Sequence, residues 1–234
     1  MNRTTWIVIA VICVLGLGGL VAFTKKDSIN VDNLDPTKII QSENGSIGDR
    51  VEGKADAKVI LFEYSDFQCP GCGAAFSALN NIQALYHDKI AFVYRNFPLT
   101  TIHPNALAAA TVAESAGQQD KFWEMHDLLF TQRDAWINLT ADQRGGMFLS
   151  FAKQLGLNTD KFTADQSSKV VSDKISRDRA IAGKLGVDST PTLYLGSTKI
   201  DSTTVDDVIN GKGDSLMSKI DETLKAVGET PPAH

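Results

Sequence analysis

The spacing of apolar and polar residues changes character several times along the chain, and each pattern predicts a different element. From Trp6 to Phe23, "WIVIAVICVLGLGGLVAF" carries no charge. As a helix its 18 residues rise roughly 27 Å, enough to cross a hydrocarbon core. A secretory signal peptide is the alternative, but its apolar part is usually shorter, and Leu20-Val21-Ala22-Phe23 makes a poor cleavage site. Residues 1–24 therefore read as a membrane anchor, with Cys13 a small apolar residue inside it, and the polar residues 25–47 as a tether. "KVILFEYSD" from Lys58 predicts a strand, with Val59 and Leu61 on one side and Ile60, Phe62 and Tyr64 on the other. Apolar residues on both faces mark a central strand. Cys72, Phe76, Leu79, Ile82 and Tyr86 then recur at helical spacing.

"KIAFVYRNFPL" predicts a second strand, ended by Pro98. From Asn105 to about Gly186 the pattern is helical, punctuated by glycines. "TPTLYLG" is a third strand with Pro191 at its start, "TKI" a short partner strand, and "DSLMSKIDETLKAV" a final amphipathic helix.

Composition narrows the function. The chain has 234 residues, 43% of them hydrophobic, and a formal net charge of -5, which argues against a nucleic-acid binder. Glu63 interrupts an otherwise apolar strand on the Val59/Leu61 face. A carboxylate there is costly unless it is used or neutralised, or unless the strand end reaches water.

Two of the three cysteines, Cys69 and Cys72, flank Pro70-Gly71 where the strand turns into the helix. A structural zinc site needs about four ligands. No second cysteine pair exists, and His87, His103, His126 and His234 show no paired spacing. A staple across two residues constrains little chain. A redox-active pair accounts for both spacing and context. Cys69 falls at the helix N-cap and Pro70 at the first helical position, so the free N–H groups and helix dipole favour a Cys69 thiolate. The spacing predicts an exposed, nucleophilic Cys69 and a covered partner, Cys72. His126, within "FWEMHDLLF", reads as helix packing; His103, before Pro104 at a helix entry, fits a local cap or a place near the site equally well; Asn138-Leu139-Thr140 fits a glycosylation sequon that arises often by chance.

"FEYSDFQCPGC" followed by "GVDSTPTLYLG", with "FVYRNFPL" and "HPNALAAATVAESAGQQDKFWEMHDLLF" between them, resembles the DsbA-like branch of the thioredoxin superfamily, membrane-anchored or secreted bacterial thiol-disulfide oxidoreductases. The resemblance implies an α/β thioredoxin fold with an inserted helical domain, here preceded by an N-terminal transmembrane helix. Its parts would be residues 48–100 with the CxxC, a helical insertion at 101–186, a second thioredoxin part at 187–228 and a tail at 229–234. It implies that Cys69 attacks and Cys72 resolves, that Pro191 after Thr190 is a cis-proline beside the disulfide and the substrate, and that Glu63 is the buried acid handling protons beneath the pair. From spacing alone, a trans proline opening a strand stays open.

The resemblance further implies substrates that are unfolded or partly folded exported proteins, a membrane quinone-linked partner that reoxidises the pair, and no organic cofactor. One departure is the Pro70-Gly71 dipeptide, where the strongly oxidising members carry a His. Disulfide reductase or isomerase activity, or a peptide-binding holdase role, are the alternatives to a disulfide-forming oxidant. The catalytic domain is expected outside the cytoplasm, although Lys25 and Lys26 after the apolar run, against Arg3 before it, do not favour export by the positive-inside rule.

Overall fold

Ile60, Phe62 and Tyr64, β-branched or aromatic, alternate along Ile60–Ser65, which becomes the central strand β2 of a five-stranded sheet. The other strands are β1 (Arg50–Gly53), β3 (Ala91–Asn96), β4 (Thr192–Leu195) and β5 (Thr198–Lys199), in the order β1-β3-β2-β4-β5. These come from a computed structural model that describes residues 29–234. The expected membrane anchor and Cys13 lie outside the described residues. Among those described, no helix is long and apolar enough to cross a membrane. Residues Val31–His234 form one compact unit.

β2 runs parallel to β3, and α1 (Pro70–Tyr86) makes the crossover between them. β4 pairs antiparallel with the other edge of β2, bringing Leu193 opposite Glu63. Cys72, Leu79, Ile82 and Tyr86 of α1 pack on the face of the sheet that carries Leu61, Phe92 and Tyr94. Phe76 is only partly buried at the margin of that stripe.

Between β3 and β4 the chain inserts α2 (Ala106–Ala116), a 3-10 turn, α3 (Phe122–Thr131), α4 (Arg133–Trp136), α5 (Ala141–Gln154), α6 (Thr159–Asp165) and α7 (Lys169–Lys184). After β5 come α8 (Ser202–Ile209) and α9 (Asp214–Ala226). His126 of α3 packs among the rings of Phe67, Phe76, Tyr94, Trp123 and Phe130, as its apolar surroundings in sequence suggested.

The stretch expected as a tether, 25–47, needs correcting from Val31 onward, because it docks on the domain. Arg95 donates to the carbonyls of Pro36 (2.7 Å) and Lys38 (3.0 Å). Lys184 donates to those of Val31, Asp32 and Leu34, and Ile47 is buried against Ala110, Val171 and Ile175. Two elements were not expected: β1, a polar edge strand antiparallel to β3, and α8, capped by the Asp201 side chain on Thr204 N at 2.9 Å.

Behind the opposite face of the sheet lies a fully buried ionic network. Asp49 pairs with Arg95 at 2.8 Å. Lys174 pairs with Asp178 at 2.6 Å and also faces Asp49 and Glu114. Asn96 donates to Glu114 (2.7 Å) and to Asp178, and Arg50 reaches Glu114 at 2.7 Å from the edge. The network ties the docked N-terminal segment, β3, α2 and α7 into one unit.

Candidate active site

The turn after β2 is fastened before the cysteines begin. The Asp66 carboxylate accepts bonds from Gln68 N (2.7 Å), Leu99 N (2.9 Å) and the His103 ring (2.7 Å). Of the two readings open for His103, the structure shows the one near the site: its ring braces the active-site turn. The Gln68 side chain bonds Ile137 O and Asn105 N, linking the same turn to the helical insertion. Cys69 N donates to Asp66 O at 3.0 Å, which delivers Cys69 to the N-cap of α1 with Pro70 in the first turn.

Both thiols are free, and Cys72 is completely buried. Cys69 was expected to be exposed, but only 7% of its surface reaches solvent. The cover comes from the far end of the chain, where the Thr190–Pro191 peptide is cis and places the Thr190 carbonyl 3.3 Å from Cys69 Sγ. A cleft of about 270 Å³ runs alongside, lined by Thr190, Pro191, Ile200, Val205 and Ile209. Gly71 faces it. A Cβ at Gly71 would sit 3.4 Å from Pro191 Cδ and 3.5 Å from Ile209 Cδ1, so the glycine keeps that wall low.

The two sulfurs ionise very differently. The Cys72 thiol acts as a donor toward Cys69 and is the largest influence lowering the Cys69 pKa, to about 5, against the opposing effect of burial. The Thr190 hydroxyl and the first-turn amides of Cys72 and Gly71 add to the lowering. Burial, then the adjacent Cys69, drives the Cys72 thiol well above its ordinary value.

Beneath the pair, Glu63 is buried, and desolvation raises it to about 7; the Ser65 hydroxyl opposes this and the Cys69 charge adds to it. Cys69, Pro70, Gly71, Cys72, Glu63, Thr190 and Pro191 therefore gather at one place. Ser65, Tyr94 and Asp66 join them. Sequence patterning could not select these three, because strand register alone sets them beside Glu63 and the turn. Among the described residues no cluster could hold a metal ion.

Alkylation of Cys69 in the reduced protein should follow a titration with its midpoint near 5. A midpoint close to the free-thiol value of about 8.5 would remove the case for an activated sulfur.

The sequence matches the thioredoxin family model described as "Thioredoxin" over residues 45–210. It is 35% identical over 151 residues to the Na(+)/H(+) antiporter NhaA 3 of Salinispora tropica, a match covering 64% of this chain and 22% of that protein. The chain thus spans about a quarter of the length of such relatives. In fold it is similar to BdbD from Bacillus subtilis, with TM-score 0.60 and 21% identity over 76% of this chain and 93% of that one. It is likewise similar to the α-DsbA1 of Wolbachia pipientis, with TM-score 0.59 and 22% identity over 77% and 96%.

Proposed function

Since the chain belongs to the thioredoxin family, in the fold of its DsbA-like branch, we propose that it is a thiol-disulfide oxidoreductase that forms disulfides in exported proteins. The observation that carries the reading is the split in acidity, with Cys69 lowered to about 5 and Cys72 raised above its ordinary value.

In the oxidised protein a substrate thiolate attacks Cys69 Sγ. The Cys69–Cys72 bond breaks, and Cys72 leaves as a thiolate and takes a proton from Glu63. A second substrate thiolate then attacks the substrate sulfur of the mixed disulfide, and Cys69 leaves as a stable thiolate. Two electrons pass from the substrate dithiol to the protein pair. The substrate strand lies along the cleft beside Thr190-Pro191.

Magnitudes favour this direction. At pH 7 an ordinary thiol is a few per cent ionised, so lowering its pKa to about 5 gains about 30-fold in thiolate. Intrinsic nucleophilicity falls by about the same factor over that range. The two nearly cancel for Cys69 as an attacking group. What remains is a better leaving group, and that is the role Cys69 plays in an oxidant.

The same shift sets the pH dependence. The Cys69 pKa is depressed in the folded protein, so ionisation stabilises the reduced form fully above the unfolded value of about 8.5. That stabilisation is lost as pH falls through about 5. The oxidising strength should therefore fade in acid.

The domain sits outside the cytoplasm behind the 1–24 anchor, where oxidised pairs persist, and is recharged by a membrane quinone-linked partner. Equilibration of the pair with the glutathione couple at neutral pH, in parallel with a C-terminal fusion to a reporter active only after export, tests both parts. A pair more oxidising than glutathione and an active reporter are expected. A pair more reducing than glutathione would make the protein a reductase, and a well-expressed but silent reporter would place the domain inside.

A further inference from the structure

Three hydroxyls in the site make no hydrogen bond of normal geometry, those of Ser65, Tyr94 and Thr190, and the first two lie beside Glu63. Tyr94 Oη and Ser65 Oγ are both completely covered, and neither has a partner of normal geometry. A buried hydroxyl left unsatisfied costs about 1–3 kcal/mol, so two side by side call for a reason. Their position supplies one. The β2/β3 register sets Tyr94 directly opposite Glu63, and Ser65 follows Glu63 by two residues, so all three share the sheet face against which Cys72 packs. Rings fill much of the Tyr94 environment: Phe67 stacks at 5.2 Å, Phe122 lies at 5.8 Å and the His126 ring meets it edge-on at 4.8 Å. The polar groups that face its hydroxyl are those of Ser65, Glu63, Cys72 and Asp66.

Resting on the oxidoreductase reading above, we propose that Tyr94 and Ser65 are positioning residues that hold the Glu63 carboxylate during the moment when its proton is on Cys72. When Cys72 leaves as a thiolate, Glu63 O–H transfers its proton to Cys72 Sγ. Glu63 becomes a carboxylate, and Tyr94 O–H and Ser65 O–H each donate to it. Neither hydroxyl gains or loses a proton over the cycle. A protonated Glu63 offers a neutral carbonyl oxygen, whereas its carboxylate offers two charged oxygens, so the hydroxyls gain their strong acceptor only when Glu63 is charged.

Other ionisable groups facing this cluster are Cys69 from the N-cap of α1, Cys72 from α1, Asp66 from the turn and His126 from α3. Burial, with the charges of Glu63 and Cys72, holds the Tyr94 phenol well above its ordinary value, and that keeps it a donor. His126 is held below its ordinary value by burial and stays neutral at the pH of the reaction.

The test is Tyr94→Phe, alone and combined with Glu63→Gln, in the full chain. Reduction of the oxidised protein by dithiothreitol is followed by stopped flow across pH, beside urea melts. Loss of the hydroxyl should move the pH midpoint that Glu63→Gln abolishes upward by about one unit and slow the exchange about tenfold below it. Stability should be unchanged or higher, because the lost hydroxyl had no partner. In the Glu63→Gln background the Tyr94→Phe substitution should change nothing further. A wild-type profile for Tyr94→Phe, or the same slowing in the Glu63→Gln background, overturns the proposal. Ser65→Ala carries the same expectation and decides the matter if Tyr94→Phe does not fold. A wild-type protein that fails to exchange at all would instead sink the oxidoreductase reading, and that result is visible before any variant is made.

Discussion

Cys72→Ala should convert the protein from a catalyst into a trap. The Cys69 thiolate can still attack a disulfide such as oxidised glutathione, bonding one glutathione sulfur while the other leaves as a thiolate, but no internal thiol remains to release the adduct, and the mixed disulfide accumulates. Its position supports a long-lived adduct, because Cys69 is only 7% exposed and Thr190-Pro191 lies directly over it. Cys69→Ala should reduce exchange to the uncatalysed level, since Cys72 is fully covered and held protonated. The Cys72→Ala protein should also lose the low Cys69 titration, because the Cys72 thiol is the largest influence lowering it. Mass spectrometry of both variants after incubation with oxidised glutathione checks the first pair of outcomes, and the alkylation profile checks the third. Equal adduct on the two variants would remove the distinction drawn between the sulfurs, and more on Cys69→Ala would reverse their roles.

Arg95→Met should cost about 3–5 kcal/mol of stability, the usual penalty for removing one partner of a buried ion pair. Arg95 and Asp49 are both without solvent exposure, and the guanidinium also holds Tyr64 Oη and two backbone carbonyls and lies over the Phe62 ring at 4.5 Å. Burial tends to raise the Asp49 pKa, but Arg95 and then Lys174 outweigh it and hold the carboxyl below its ordinary range. A depressed carboxyl stabilises the fold at neutral pH and loses that contribution as pH falls through its lowered value. The gap between wild type and variant should therefore narrow in acid. Urea melts at two pH values measure this. A loss below about 1 kcal/mol would class the pair with solvent-screened surface bridges and remove the network's structural role. Limited proteolysis should then cut the variant within residues 31–48 first, where Arg95 had held the carbonyls.

The central architecture was legible because it is written in side chains. β2 shows its two apolar faces, α1 its stripe, and the CxxC its place between them. Glu63 stood out as a carboxylate in an apolar run, and the structure buries it. What was not legible depends on partners far away or on the backbone. The segment from Val31 to Lys38 looked like a tether because Arg95 and Lys184 hold its carbonyls, and any sequence offers carbonyls. β1, "RVEG", carries no apolar alternation, since it is a half-buried edge strand. The burial of Cys69 could not be read from its N-cap position, because Thr190 and Pro191 come from the other end of the domain. His103 gave no sign of its bond to Asp66, which depends on how the β3–α2 loop returns.

The cover over Cys69 has a consequence for how the protein is made. Cys69 and Thr190 are 121 residues apart. At about 5–20 residues per second, a ribosome completes the second part roughly 6–24 seconds after the first. During that interval β2 lacks β4, so the central strand has an open edge beside a pair of reactive thiols, with no carbonyl or cis-proline above them. Until β4 and β5 arrive, a nascent copy has both CxxC sulfurs without the Thr190 carbonyl that covers Cys69 in the finished fold, so closure of the site is a late event in its synthesis.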